Sequence, residues 1–131
     1  VITIAGLREI AEARLEDANV LLANGRTDGA AYLCGYAVEL ALKARICATL
    51  NWDGFPETRS EFENLATFKT HKLDVLLALS GQGQRIKATH FSAWSAVITW
   101  NTELRYRVVG QADELQVAMM VIAAETLLKV L

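Results

Sequence analysis

Proline occurs once, at Pro56, and no stretch rich in glycine or serine and no block of like charges marks a linker or a tail. The chain also carries no internal repeat and no heptad run, so solenoid and coiled-coil architectures are excluded. Cysteine occurs only at Cys34 and Cys47, which fall in one predicted helix about 20 Å apart, too far for a disulfide within it. They are expected to be small buried hydrophobes in a reducing compartment. Paired-cysteine and HExxH spacings are missing, and two histidines with two distant cysteines do not form a convincing zinc set. No metal and no cofactor are therefore expected. Gly81 and Gly83 lack the strand, further glycines and lysine of a phosphate-cradling loop. Ser80 and Ser92 come with no recognisable base to activate a hydroxyl.

Long apolar runs are absent as well. The best candidate, residues 88–102, is shorter than the roughly eighteen residues a membrane span needs and contains His90 and Asn101. With no leader-like opening, a cytoplasmic location and no membrane partner are expected. The formal charge of −2 argues against a broad basic surface that holds nucleic acid by phosphate neutralisation alone, but leaves room for a local positive cleft.

What is present in excess is apolar surface. The apolar fraction of 53% exceeds and the charged fraction of 21% falls below those of ordinary globular chains. Either several helices are buried on more than one side, or an apolar face is covered by a partner. Helical periodicity predicts a first helix from Thr3 or Ile4 to Ala23, with Gly25 as a left-handed C-cap. A second helix follows from about Asp28 to Leu50, capped by Thr27 or Asp28. From Gly29 to Leu42 its only charge is Glu39, and Gly29, Ala30, Ala31, Gly35, Ala37 and Ala41 are small enough to let neighbouring backbones approach. Residues 51–69 show neither period, and Phe55, Phe62, Leu65 and Phe68 are expected to pin this insertion to the body. Further helices are predicted at Thr70 to Leu79, at Gln84 to Thr102 and at Gln111 to Val130, with Arg105 to Gly110 as a connection. The fourth helix is expected to turn Phe91, Trp94, Val97 or Ile98, and Trp100 or Asn101 inward; the last, Leu115, Ala118, Met119, Ile122, Ala123 and Leu127. The fold class is all-α, an up-and-down bundle of about five helices with one irregular insertion, forming one domain over residues 1–131.

Three segments carry a family resemblance. YLCGYAVELALKA, from Tyr32 to Ala44, resembles the second helix of HEPN domains, small helical domains of higher eukaryotic and prokaryotic nucleotide-binding proteins. HKLDVLLAL, from His71 to Leu79, and the pair Arg105–Tyr106 resemble later elements of one branch. The resemblance implies a helical bundle that forms homodimers. It also implies RNA or a minimal nucleotidyltransferase as partner, in a toxin–antitoxin or defence-type system. The family's ribonucleases use an arginine followed, after four to six residues, by a histidine, joined across the dimer as a metal-independent RNA-cutting site.

Arg85 and His90 have that spacing, so the resemblance makes them candidate catalytic residues: the histidine as general acid or base, the guanidinium as a fork for the phosphate. Ile86 stands where the family's active members carry a polar residue, and the alternative is a solvated arginine beside a locally hydrogen-bonded histidine. His71, Arg105, Tyr106 and Arg107 are candidate RNA- or phosphate-binding residues, with Tyr106 stacking on a base. His71 is equally readable as a helix-start hydrogen-bonding group, and Tyr106 as a packed side chain with Arg105 paired to Glu39 or Glu103. Lys43, one turn beyond Glu39, is the simpler partner for that carboxylate. Trp94 and Trp100 are expected in the core or at a subunit interface. The functional expectation is an interaction module, dimeric through its second and fourth helices or their adjoining ends. The alternatives are the Arg85–His90 ribonuclease and a sensor of nucleotides or small ligands.

Overall fold

A computed structural model describes residues 1–106 and 109–131, and the backbone alone of Arg105. Six helices form the body: α1 (Ile4–Ala23), α2 (Thr27–Leu50), α3 (Leu73–Leu79), α4 (Gly83–Thr89), α5 (Phe91–Val97) and α6 (Glu114–Val130). The all-α bundle anticipated from periodicity is the observed architecture.

The Thr3 hydroxyl accepts the Gly6 amide at 3.0 Å and starts α1. At its end Gly25 takes φ +73°, and the Arg26 amide donates to the Leu21 carbonyl at 2.8 Å, turning the chain straight into α2. Neither Thr27 nor Asp28 caps α2; the cap position is Arg26. Asp28 is drawn elsewhere, accepting the amides of Gly110 at 2.7 Å and Ala112 at 3.2 Å, and so ties the start of α2 to the approach to α6.

α2 is the central element, packed by α1, α3 and α6. Thirteen of its 24 residues are buried, too many for a single amphipathic stripe, which identifies it as a helix covered on most sides. Gly35 shows why its residues are small. A Cβ built there would lie 2.1 Å from Cδ1 of Trp100, whose ring rests on the helix backbone and whose Nε1 donates to the Tyr32 carbonyl at 3.0 Å. Trp94 and Trp100 both lie in the core.

Four elements differ from the sequence expectation. The insertion contains a strand, β2 (Gly54–Phe55), antiparallel to β1 (Ile2–Thr3) with Ile2 opposite Phe55, and a 3-10 turn at Ala66–Phe68. Two-residue strands are too short to show alternation. Its aromatics do pin it: Phe55 is buried, Phe62 meets it at 6.1 Å between ring centroids, and Trp52 meets Phe68 at 4.9 Å. Leu65 is not among the residues packed on the core. α3 starts at Leu73, because Thr70 uses its hydroxyl on the Lys72 amide, at 3.1 Å, rather than on a helix. The single helix expected from Gln84 to Thr102 is two, broken at His90 (φ −127°, ψ 38°) beside β-branched Thr89 and followed by a 3-10 turn at Thr102–Tyr106. Phe91 becomes the first residue of α5 and is exposed, while Trp94 and Val97 point inward. In α6 the buried side is Val117, Met120, Val121, Ala123, Ala124 and Leu127, and Leu115, Met119 and Ile122 face outward.

Among the described residues no helix is long and apolar enough to cross a membrane, and no three His, Cys, Asp or Glu side chains are grouped as a metal site.

Candidate functional site

Spacings of four, four, three and four put Asp28, Tyr32, Tyr36, Glu39 and Lys43 on one side of α2, within about 80° of arc. This polar stripe interrupts the apolar surround of the helix and meets the candidate residues at both of its ends.

At the C-terminal end of the stripe, Glu39 is 1% exposed and both its oxygens are bonded. Lys43 donates to Oε2 at 2.9 Å and His71 Nδ1 lies 3.0 Å from Oε1. Burying a carboxylate without such partners is unfavourable by several kcal/mol, so the two contacts are a condition of the burial. Lys43 is 15% exposed and also lies over the Phe55 ring, 5.2 Å from its centroid. His71 is different: its side chain is 63% exposed, held at Nδ1 and otherwise in solvent. Glu39 is ionised against Lys43 and has no hydrogen to give, so the bond to His71 requires the proton on Nδ1. In the neutral ring that leaves Nε2 as an outward-facing acceptor.

Tyr36 sits between this cluster and Tyr32. Burial first, then the charge of Glu39 and the neighbouring Tyr32, push its hydroxyl pKa up, against a smaller opposing pull from Arg14. The phenol therefore stays protonated and acts as a hydrogen-bond donor or acceptor.

At the N-terminal end, Tyr32 packs against Trp100 at 6.1 Å, and the 3-10 turn carrying Arg105 and Tyr106 follows directly. Tyr106 is exposed. The Arg105 side chain and Arg107 lie outside the described residues. Of the two partners considered for Glu39, the structure shows Lys43, joined by His71.

Arg85 and His90 stand apart from this stripe, at opposite ends of α4. Arg85 donates from Nε to Gln82 at 2.7 Å and from Nη2 to the Val130 carbonyl at 2.6 Å, bracing α4 against the end of α6. His90 is half-buried at the α4–α5 junction, and no described residue hydrogen-bonds its ring. Cys34 and Cys47 are both buried, and burial pushes the first thiol up to about 12 and raises the second, so neither is a nucleophile near neutral pH.

A second feature is a groove of about 450 Å³ between α5 and the start of α6, lined by Ala96, Thr99, Trp100, Gln116, Met119 and Met120 among others. Met119 (57% exposed) also belongs to a row of exposed apolar side chains on α6 with Leu115 (71%) and Ile122 (63%), and Phe91 of α5 and Ile98 just after it are exposed as well.

Fold and stripe together define a small helical-bundle domain organised around one buried, small-residue helix. The chain belongs to the HEPN domain family, whose model matches residues 4–131. Neither the curated proteins nor the solved structures give a match.

Sequence reasoning singled out His71 and Glu39 but not Tyr36, Lys69 or Lys72 as site residues. The signal for Tyr36 was its place four residues beyond Tyr32 and three before Glu39, on the face that also bears the one buried charge.

Proposed function

We propose that this chain is an interaction domain that pairs with a second copy of itself through α6 and α5 and holds an RNA strand. The observation that carries the pairing is the stripe of Leu115, Met119 and Ile122, three large apolar side chains at helical spacing left in water on one side of α6. Isolated exposed apolar residues need no explanation, but a contiguous set does. A second copy fits by symmetry: a two-fold contact lays the same apolar stripe of one protomer against that of its partner. On this reading the dimer forms on α6 and α5, and the small residues of α2 serve packing within one chain. Analytical ultracentrifugation over micromolar concentrations is expected to show a dimer that Met119→Asp converts to monomer with its helicity unchanged. A monomer at every concentration would give the face to another protein, such as the nucleotidyltransferase that the family resemblance implied.

Binding of RNA rests on the exposed cations Lys69 and Lys72 on either side of His71, which form a local positive patch on a chain of net negative charge.

One observation favours ribonuclease activity as a second reading. His90 directly precedes exposed Phe91 at the start of α5, one of the two helices proposed to pair, and the family's ribonucleases join their arginine–histidine pairs across a dimer. The contacts of Arg85 with Gln82 and Val130 favour a bracing role instead. Labelled single-stranded and structured RNA incubated in chelator is therefore expected to survive intact. Cleavage by the wild type that is lost in both Arg85→Ala and His90→Ala would establish the enzyme.

A further inference from the structure

We infer that His71 reads the ribose 2′-hydroxyl of a bound RNA strand, accepting its hydrogen at Nε2, while Lys69 and Lys72 hold the flanking phosphates. The inference rests on the RNA-binding reading above and names the residue that would tell RNA from DNA.

Four observations converge on it. The buried Glu39 carboxylate fixes the tautomer of His71 by accepting a hydrogen bond from Nδ1–H, 3.0 Å between nitrogen and oxygen, so Nε2 of the neutral ring is a bare acceptor. Glu39 already has an ion-pair partner in Lys43 at 2.9 Å, and a histidine serving only to cover the carboxylate would be packed over it. The ring instead stands 63% exposed, and among the described residues nothing hydrogen-bonds its Nε2. Third, Lys69 and Lys72 flank His71 in the non-helical segment before α3, both exposed, and no ion pair engages either of them among the described residues. Lys69 is positioned over the Phe62 ring, 5.9 Å from its centroid, which ties it to the same aromatic group that carries Lys43. Asp74, in the first turn of α3, offsets one of the two cations, and the Glu39 carboxylate bonded to His71 is already paired with Lys43, which leaves one net positive charge. Fourth, Trp52 and Phe68 are half-exposed beside this segment and supply ring faces for a base.

A hydroxyl donor set beside two anionic groups is the chemistry of a phosphorylated ribose. A fixed acceptor between two cations complements it, and DNA lacks the donor. Lys69 and Lys72 alone would bind either nucleic acid, because phosphate contacts carry no sugar identity.

The test is fluorescence anisotropy with one single-stranded sequence made as RNA, as DNA and as 2′-O-methyl RNA, at a single stated salt concentration. Wild type is expected to bind RNA about fivefold to tenfold more tightly than the other two, the size of one hydrogen bond. In His71→Ala the RNA affinity should fall to that of DNA while DNA binding stays put. His71→Gln, whose amide NH2 can donate to Glu39 while its carbonyl oxygen accepts the hydroxyl, should keep part of the preference that His71→Ala loses, which separates recognition from support of the fold. Lys69→Ala should weaken all three strands alike. Equal wild-type affinity for RNA and DNA, or an equal loss for both in His71→Ala, would overturn the inference and leave RNA binding standing. Failure to bind any strand would overturn the RNA-binding reading and this inference with it. Displacement of the strand by an equal concentration of a ribonucleoside monophosphate would also overturn the inference, by reassigning the site to free nucleotides.

Discussion

Gly35→Ala lowers stability by about 2 to 4 kcal/mol, although alanine is the better helix former by about 1 kcal/mol. The sign follows from the neighbour. The new Cβ would lie within 2.1 to 2.4 Å of three atoms of the Trp100 ring, a plane backed by the core that cannot rotate aside like the end of a flexible chain. To make room the indole must leave its place, losing its bond to the Tyr32 carbonyl and the close approach of α2 to the segment after α5. Thermal unfolding should show a melting temperature roughly 10 °C lower. The decisive measurement is the same substitution in a Trp100→Ala background. There the overlap is gone and only helix propensity remains, so Gly35→Ala should turn from destabilising to neutral or stabilising by up to about 1 kcal/mol. An equal loss in both backgrounds would show that the glycine is needed for something other than the indole.

The same residue shows what the sequence could reveal and where it stopped. Glycine in the middle of an apolar helix, with Glu39 as the only charge for many residues, already required that α2 be enclosed. What encloses it was not visible, because Trp100 is 65 residues away in sequence and no local period links the two positions. α1 was legible to within a residue since Thr3 and Gly25 do their capping with local groups. Asp28 was misassigned as a cap because its partners, Gly110 and Ala112, come from the far end of the chain.

α6 was found in the right place with Ala123 and Leu127 inward as expected, but Leu115, Met119 and Ile122 face the other way. Leu115, Met119 and Ile122 form as good a stripe as Val117, Met120, Val121 and Ala124, so a helix apolar on both sides gives periodicity nothing to choose between. That ambiguity is itself informative, since the unused stripe is the one proposed to meet a second copy. The candidate site was half legible. A lone buried carboxylate demanded partners, and Lys43 could be named from helical spacing. His71 completes the pair from 32 residues away, which helical spacing cannot reach.

The second large effect is expected at that pair. Lys43→Met keeps the length and apolar stem of the side chain but leaves Glu39, 1% exposed, with His71 as its remaining partner among the described residues. Breaking a buried pair from one side is unfavourable by about 3 to 5 kcal/mol, mostly through the uncompensated charge that remains. The loss here should fall near the lower end, about 3 kcal/mol, because exposed His71 gives the carboxylate a bonded path toward solvent. Loss of the ammonium over Phe55 adds a fraction of a kcal/mol. If the orphaned carboxylate is the cause, removing it should repair the defect. Glu39→Met combined with Lys43→Met should therefore regain most of the stability in urea denaturation, although the double variant has lost both polar contacts. The alternative is that Lys43 acts as an ordinary surface cation, in which case the single variant loses under about 1 kcal/mol and the second substitution rescues nothing. The single variant also bears on RNA recognition. The contact between Glu39 and His71 Nδ1 does not involve Lys43, so a folded Lys43→Met protein that retains it should keep the RNA preference that His71→Ala loses, separating the group that stabilises the carboxylate from the group that reads the ligand.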